Sequence, residues 1–264
     1  MIILTTNKIL KITAKRFSID YFKEFFKKKL VIHFLKQAKL IFLLDEYLKD
    51  DILRIGFKKI NWIPDRCFEE VNLENKNLKE DIDFNILTPG GLYQGRNVDF
   101  DFVFEAYKKY NLNFEYKIVG MPKDDYGKKM VEKIRLLENK LPIHGIFEYL
   151  SDQDYKEIIS KASFVLLPYS PERYDQVPAV MFDAFENDTP IIAPNVQPFN
   201  YYLSKYKLGF LYNHNELLSF IKVLEKASKV SKKSFSDNFL LFKKDFCYKK
   251  TQERVRIIIE NLKN

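Results

Sequence analysis

The chain predicts an α/β protein whose larger part is a doubly wound parallel sheet. Three observations carry this prediction. From residue 84 onward, short apolar runs alternate with longer segments of helical periodicity. Most of the runs stop on Gly, Pro or a polar loop. Apolar residues make up 46% of the chain, enough for a packed core and too many for wholesale disorder. Strands and helices alternating at these lengths must be joined by crossovers, and crossovers make neighbouring strands parallel.

The elements follow in order. Ile2 to Thr5 is a short opening strand, and residues 18–37 place apolar and basic residues at helical spacing. Phe22, Phe25, Phe26, Leu30, Ile32, Phe34 and Leu35 are read as an apolar side, with Lys23, Lys27, Lys28, Lys29 and Lys36 on the rest. Two uses fit this basic amphipathic helix: packing on a sheet, or lying on an anionic lipid surface. Lys39 to Leu44 is a buried strand, Glu46 to Ile55 a helix closed by Gly56, and Lys59 to Ile63 a strand stopped by Pro64. Val71 to Asp83 is polar and without apolar periodicity, so it reads as a linker.

The second series runs more regularly. Strands are expected at Asn85 to Leu87, Phe114 to Val119, Ile143 to Phe147, Phe164 to Leu167, Pro190 to Ala193 and Gly209 to Leu211. Helices are expected at Val98 to Tyr110, Tyr126 to Asn139, Asp152 to Ala162, around Phe199 to Lys205, Asn215 to Ala227 and Phe235 to Leu262. Ser151 and Asp154 have the spacing of a capping box. The domain division expected is 1–83 for a first lobe with its linker and 84–264 for a second lobe that includes the terminal helices.

Composition limits the function classes. A net charge of +8 suits phosphate-bearing ligands, an anionic membrane surface or nucleic acid, but the lysines form no aromatic-interleaved stripe or nucleic-acid motif. No nucleic acid partner is expected. Cys67 and Cys247 have neither disulfide-framework nor zinc spacing, which fits a reducing cytoplasm. His33, His144 and His214 are scattered, so no triad or metal cluster is readable from spacing. The opening apolar run is too short for a signal peptide, and no run approaches the ~18 apolar residues that span a bilayer.

In an open parallel sheet, ligands bind beyond the carboxyl ends of the strands, which singles out the loops after Leu87, Val119, Phe147 and Leu167. The first loop carries Gly90, Gly91 and Gly95 with Arg96. Glycines let a backbone approach a ligand, and an arginine grips a phosphate through two parallel N–H bonds. Pro178 stands where the next helix starts, and a proline suits the first helical position. The amides of Ala179, Val180 and Met181 would then point outward at the helix's positive end, where an anion is stabilised. Asp183, one turn later, is spaced to reach a ribose, and Asp175 precedes it by eight positions. Both aspartates also suit a purely electrostatic role near a helix start.

These pieces stand in an order that resembles the C-terminal lobe of retaining GT-B glycosyltransferases. That lobe has a Gly-Arg-Leu loop followed by Lys-Gly or Lys-Asn, a strand ending in Val-Gly, a strand ending in Leu-Pro-Ser, a Glu-x7-Glu motif followed by Ala, and a Gly-x-Pro-Val-Ile turn. Here Gly90-Gly91-Leu92 with Arg96-Asn97, Ile118-Val119-Gly120, Leu166-Leu167-Pro168, Asp175 to Asp183-Ala184, and Thr189-Pro190-Ile191-Ile192 occupy those places, spanning residues 85–211. The resemblance implies a GT-B-like fold, with a Rossmann-type lobe at the C-terminal side and a shortened α/β region before it. It puts Arg96 at the cation that holds the donor diphosphate, Asp183 at the acid that binds the ribose, and Asp175 at the acid that touches the donor sugar. It puts Ile146 to Tyr149, with Phe147 and Tyr149, where backbone groups hold the base, and Gly90, Gly91, Gly120, Ala179 and Val180 around the donor.

The activity implied is transfer of a sugar from a nucleotide-diphosphate sugar to a glycan or lipid-linked saccharide, with retention and without a metal or other cofactor. The cation and the helix end would stabilise the departing diphosphate, with Asp175 and Arg96 as the catalytic pair. A cytoplasmic protein, peripheral on the inner face of the plasma membrane, is the matching location. The departures are specific. Gly91 stands at the family's arginine, both acids are aspartates, and Gln176 and Pro178 replace glycines. One missing charge-assisted hydrogen bond weakens binding roughly ten- to a hundredfold. A family N-terminal lobe needs roughly 150 residues, so residues 1–83 imply a truncated lobe or a second polypeptide that supplies the rest. The alternative to an enzyme is a non-catalytic lobe that binds a partner glycosyltransferase or a glycan. A sugar-nucleotide epimerase would need ionisable groups between lobes, and none is placed by the sequence.

Overall fold

The structure, a computed structural model, describes residues 2–4, 19–37, 41–54, 56–57, 60–64, 66–69, 84–170 and 177–263. The expected linker at 71–83 and the candidate Asp175 lie outside the described residues. The chain forms two compact units, Met1–Glu70 with Lys244–Asn264, and Val71–Lys243.

In the first unit, β1 (Ile2–Leu4), β2 (Ile41–Leu43) and β3 (Ile60–Trp62) form a parallel sheet in the order β1-β2-β3. Helices α1 (Ile19–Gln37) and α2 (Lys49–Arg54) make the crossovers, and Ile41, Leu43, Leu48 and Ile52 are buried. The helix expected from Glu46 begins as a 3-10 turn over Glu46–Leu48 before α2. The apolar residues of α1 do not share one side. Leu35 is buried, whereas Phe22, Phe26 and Leu30, spaced i, i+4 and i+8, form a row exposed at 48%, 66% and 57%. Lysines interrupt that row, and Lys29 lies 4.7 Å from the Phe25 ring centroid.

The second unit carries six strands, β4 (Asn85–Pro89), β5 (Glu115–Val119), β6 (Ile143–Ile146), β7 (Phe164–Leu166), β8 (Ile191–Pro194) and β9 (Gly209–Tyr212). The crossover helices are α3 (Phe100–Tyr110), α4 (Asp125–Glu138), α5 (Asp152–Lys161), α6 (Ala179–Glu186) and α7 (Phe199–Tyr206). Helices α8 (Leu217–Ala227) and α9 (Ser236–Asp245) follow. Every strand pairs parallel with its neighbours in the order β6-β5-β4-β7-β8-β9. Phe164, Val165, Leu166, Ile191, Ile192 and Ala193 are fully buried, as continuous apolar runs must be when helices cover both faces. Each Leu, Ile or Val so buried contributes about 1.5–3 kcal/mol.

Side chains cap the starts of α3, α4 and α5, and of these the sequence singles out Ser151 alone. Asp99 accepts the Phe102 N–H at 3.0 Å, Asp124 the Gly127 N–H at 2.8 Å and Ser151 the Asp154 N–H at 3.1 Å. The capping box at Ser151 is only half made, because the Asp154 carboxylate takes the Ser151 hydroxyl at 2.6 Å. At the amino ends of β7 and β8, Lys232 is 4% exposed and donates to Ser160 O at 2.7 Å, Ala162 O at 3.2 Å and Thr189 Oγ1 at 2.7 Å. Lys243, equally buried, pairs with Asp188 and donates to Glu186 O at 3.0 Å. Both ammonium groups sit at the carbonyl end of a helix, α5 and α6, where the dipole favours a cation.

The single helix expected from Phe235 to Leu262 is divided into α9 and α10 (Tyr248–Lys263). Phe246 carries apolar periodicity, but its carbonyl accepts the Phe68 N–H at 2.9 Å and the Tyr248 N–H reaches Phe68 O at 3.1 Å. Backbone groups bonded to Phe68 are withdrawn from the helical ladder, and the helix breaks. The Phe246 ring completes the seam against Trp62 and Phe68, at centroid distances of 5.3 and 6.4 Å. The terminal helix therefore groups with the first unit, whereas the sequence reading places it in the second lobe.

Candidate functional site

The sheet order reverses between β4 and β7. Successive crossovers leave β4 toward β6 on one side and leave β7 toward β9 on the other, which opens a crevice at the carboxyl ends of these two strands. Just below it, a buried polar chain crosses three strands. The Tyr116 hydroxyl donates to Thr88 Oγ1 at 2.9 Å, and Thr88 donates to Leu166 O at 2.7 Å. Burial pushes the Tyr116 phenol well above its ordinary range, so it remains a donor. This chain ties β5, β4 and β7 together where the site loops leave the sheet.

Beyond Pro89 the β4 loop folds around Arg96. Its Nη1 donates to Gly90 O at 2.7 Å and Gly91 O at 3.3 Å, Nη2 to Pro89 O, and Nε to the Tyr169 hydroxyl at 3.2 Å. The sequence reading has this guanidinium gripping a phosphate; here it holds the carbonyls of its own loop. The glycines follow from the same packing. Gly90 has φ +112, and a Cβ on it would stand 2.8 Å from Arg96 Nη2. A Cβ on Gly120 would stand 2.1 Å from Gly90 O. Gly90 and Gly120 thus let two loops and an arginine pack backbone to backbone.

The β4 and β7 loops also pair across the crevice, through Asp99 N–H to Pro168 O at 2.6 Å and Ser170 N–H to Asn97 O at 3.1 Å. Tyr169, 2% exposed, stacks on Phe199 at 5.9 Å and offers its hydroxyl to Arg96. The β5 loop joins from the other side. Leu92 pairs with the segment around Pro122, and the Asp124 carboxylate accepts the Gln94 N–H at 2.9 Å. The amides of Gln94 and Gly127 hold that carboxyl below its ordinary range.

Helix α6 begins one residue later than expected. Pro178 is its N-cap, with φ −65° and ψ 133°, and Ala179 is the first helical residue. Ala179 is exposed and Val180 half-buried, and the N-cap Pro178 makes no side-chain hydrogen bond to this end. Asp183 lies one turn in, half-buried, and accepts the Tyr155 hydroxyl at 3.2 Å. Tyr155 sits in the first turn of α5. Burial and the Asp183 charge push its phenol well above its ordinary value, while Arg96 pulls the other way, so Arg96, Asp183 and Tyr155 share one electrostatic neighbourhood. Tyr155 acts there as a neutral donor that fixes the Asp183 carboxylate.

The β6 loop is arranged differently. Phe147 folds back over Gly145, where a Cβ would meet its ring at 2.1 Å, and Tyr149 is 78% exposed. The structure therefore gathers Gly90, Gly91, Arg96 and Gly120 at the loops of β4 and β5, and Asp183 with Tyr155 at the helix starts beyond β7 and β6. Tyr155 and Tyr169 escaped the sequence reading. Tyr169 carried a signal, its place directly after the strand-ending Pro168; Tyr155 looks like any residue of an amphipathic turn. Among the described residues, no group of three or more His, Cys, Asp or Glu is placed to hold a metal.

No protein-family model matches the chain, and no curated protein matches it. Solved structures do. TarM of S. aureus, solved with fondaparinux, α-GlcNAc-glycerol and UDP, superposes with a TM-score of 0.63 at 15% identity, over 97% of this chain and 50% of that one. The GtfA/B complex gives 0.64 at 12% identity, over 88% and 47%. HepE of Anabaena, solved with UDP and glucose, gives 0.63 at 13% identity, over 99% and 71%. This chain spans about half the length of the TarM and GtfA/B chains. At such identities the likeness establishes the fold: α/β and GT-B-like, with the doubly wound parallel sheet expected from the sequence.

Proposed function

We propose that the chain binds a nucleotide-diphosphate sugar beyond the carboxyl ends of β4 and β7 and transfers the sugar to a glycan or lipid-linked saccharide, with retention and without a metal. The observation that carries this reading is the convergence, at one switch point, of the Arg96 loop, the start of α6 at Pro178 and the Tyr155-fixed Asp183 carboxylate. In transfer, the bond from the anomeric carbon to the diphosphate oxygen breaks, the acceptor oxygen bonds that carbon, and the hydroxyl proton passes to the departing diphosphate. The α6 amides and nearby cations stabilise the charge that develops on the leaving group. Asp183 takes the ribose hydroxyls, and Asp175 the donor sugar.

Thermal unfolding in the presence of UDP, GDP, ADP, dTDP and CMP and their sugars tests the reading. A ligand at a hundred times its Kd adds about 2.7 kcal/mol. One nucleotide should stabilise the wild type and fail with Asp183→Ala, whereas Asp175→Ala should keep the nucleotide shift and lose transfer. No shift with any nucleotide would overturn it.

The second reading is a lobe that serves a partner glycosyltransferase or binds a glycan without catalysis. It is favoured by the commitment of Arg96 to backbone carbonyls and by the glycine at position 91. Isolation with a tightly held second chain, and no nucleotide shift in the complex, would put it first.

A place on the cytoplasmic face of an anionic membrane rests on α1, whose exposed Phe22, Phe26 and Leu30 alternate with lysines. No helix is long and apolar enough to cross a membrane among the described residues. Co-sedimentation with anionic but not neutral vesicles, lost on Phe26→Glu, is the outcome this predicts.

A further inference from the structure

Two cations flank the consecutive glycines that follow β4. The Arg96 guanidinium lies against Gly90, and the Lys123 side chain, from the loop after β5, lies against Gly91. A Cβ built on Gly91 would stand 2.7 Å from Lys123 Cε and 3.4 Å from its Nζ. A side chain at residue 91 would displace the Lys123 chain from where it lies.

The two cations differ in what they already hold. Arg96 is half-buried and donates to three loop carbonyls and a phenol. Lys123 is exposed, and its ammonium stands 5.6 Å from the ring centroid of Tyr93, itself 37% exposed. Its two carboxylate neighbours in sequence are engaged elsewhere, Asp124 with the amides of Gln94 and Gly127, Asp125 with Lys128. Lys123 makes no ion pair with any described residue. An ammonium with mobile donors, set beside Gly91 in the loop that leaves β4, matches the oxygens of a diphosphate.

We infer that Lys123 supplies the diphosphate-binding charge of this site, reaching it from the β5 loop across Gly91. This rests on the proposed nucleotide-diphosphate site and names the residue that makes it specific for a diphosphate. Arg96 then shapes the loop, and Lys123 answers the ligand's charge.

The test uses the full chain and isothermal titration with UDP, GDP, ADP and dTDP, each against its monophosphate. Lys123→Ala should weaken the preferred diphosphate about tenfold or more while changing its monophosphate less than twofold. Lys123→Arg should keep most of the affinity. In the Lys123→Ala background, Gly91→Arg extends a cation into the vacated space and should restore the diphosphate preference. A wild type that binds a diphosphate, with Lys123→Ala within twofold of it, would overturn the assignment of Lys123 and leave the site standing. An equal loss of diphosphate and monophosphate would also overturn it, because the lysine would then act on the whole site. A wild type that binds none of the four diphosphates would overturn the site and this inference together.

Discussion

The two edges of the six-stranded sheet use cations on backbone carbonyls in opposite ways. At the amino edge, Lys232 and Lys243 are each 4% exposed and bonded to helix-end carbonyls, with Thr189 and Asp188 among their partners. At the carboxyl edge, Arg96 also binds carbonyls, but it is half-buried against Gly90, one residue from the glycine that an exposed lysine lies against. The residue type does not separate structure from function here. Burial and the surroundings do: a sealed cation fastens crossovers, and one at an open switch point organises a loop toward solvent.

Variants can break this contrast in order of size. Lys232→Met should have the largest effect on stability. It leaves buried carbonyls and a hydroxyl without their donor, costing about 3 kcal/mol and lowering Tm by roughly 6–12 °C. Differential scanning calorimetry checks this, and any nucleotide shift should survive. Arg96→Ala should cost less, about 1–2 kcal/mol for half-exposed bonds, but should also disturb ligand binding. A variant that is destabilised yet keeps its full nucleotide shift would make Arg96 a loop fastener like Lys232.

The smallest effect concerns Asp124, whose bonds to Gln94 and Gly127 depress its folded pKa below the unfolded value. A depressed carboxyl stabilises the fold above its unfolded pKa and loses that contribution as pH falls through the folded one. The Tm gap between wild type and Asp124→Ala should therefore be present at neutral pH and narrow below about pH 4. Melting curves across that range would show a constant gap if the carboxylate charge were irrelevant.

Local patterns carried most of the fold in the sequence. Strand and helix periods, the capping residue Ser151, and the breakers Gly120 and Pro168 all act within a few positions, so they are readable from a single chain. The missed features depend on residues far apart. Phe246 has the right period to continue a helix, and only its pairing with Phe68 breaks it. Gly90 and Gly120 look like ligand-facing glycines, but their neighbours are Arg96 and each other's loops. Lys123 was one surface lysine among many until the fold brought it to Gly91. The candidate site was legible as a set of loops; which side chain faces a partner inside the protein and which faces outward was not.

The pairing of residues 246–248 with Phe68 also determines when each unit can finish folding. A ribosome completes residues 71–243 before it releases the segment that closes the other unit, so the six-stranded sheet can form while the first unit still waits for its last helix. That unit closes over a contact spanning most of the polypeptide, a slow, entropically costly loop. Until that segment arrives, Trp62 and Phe68 of the nascent first unit lack the Phe246 ring that packs against them.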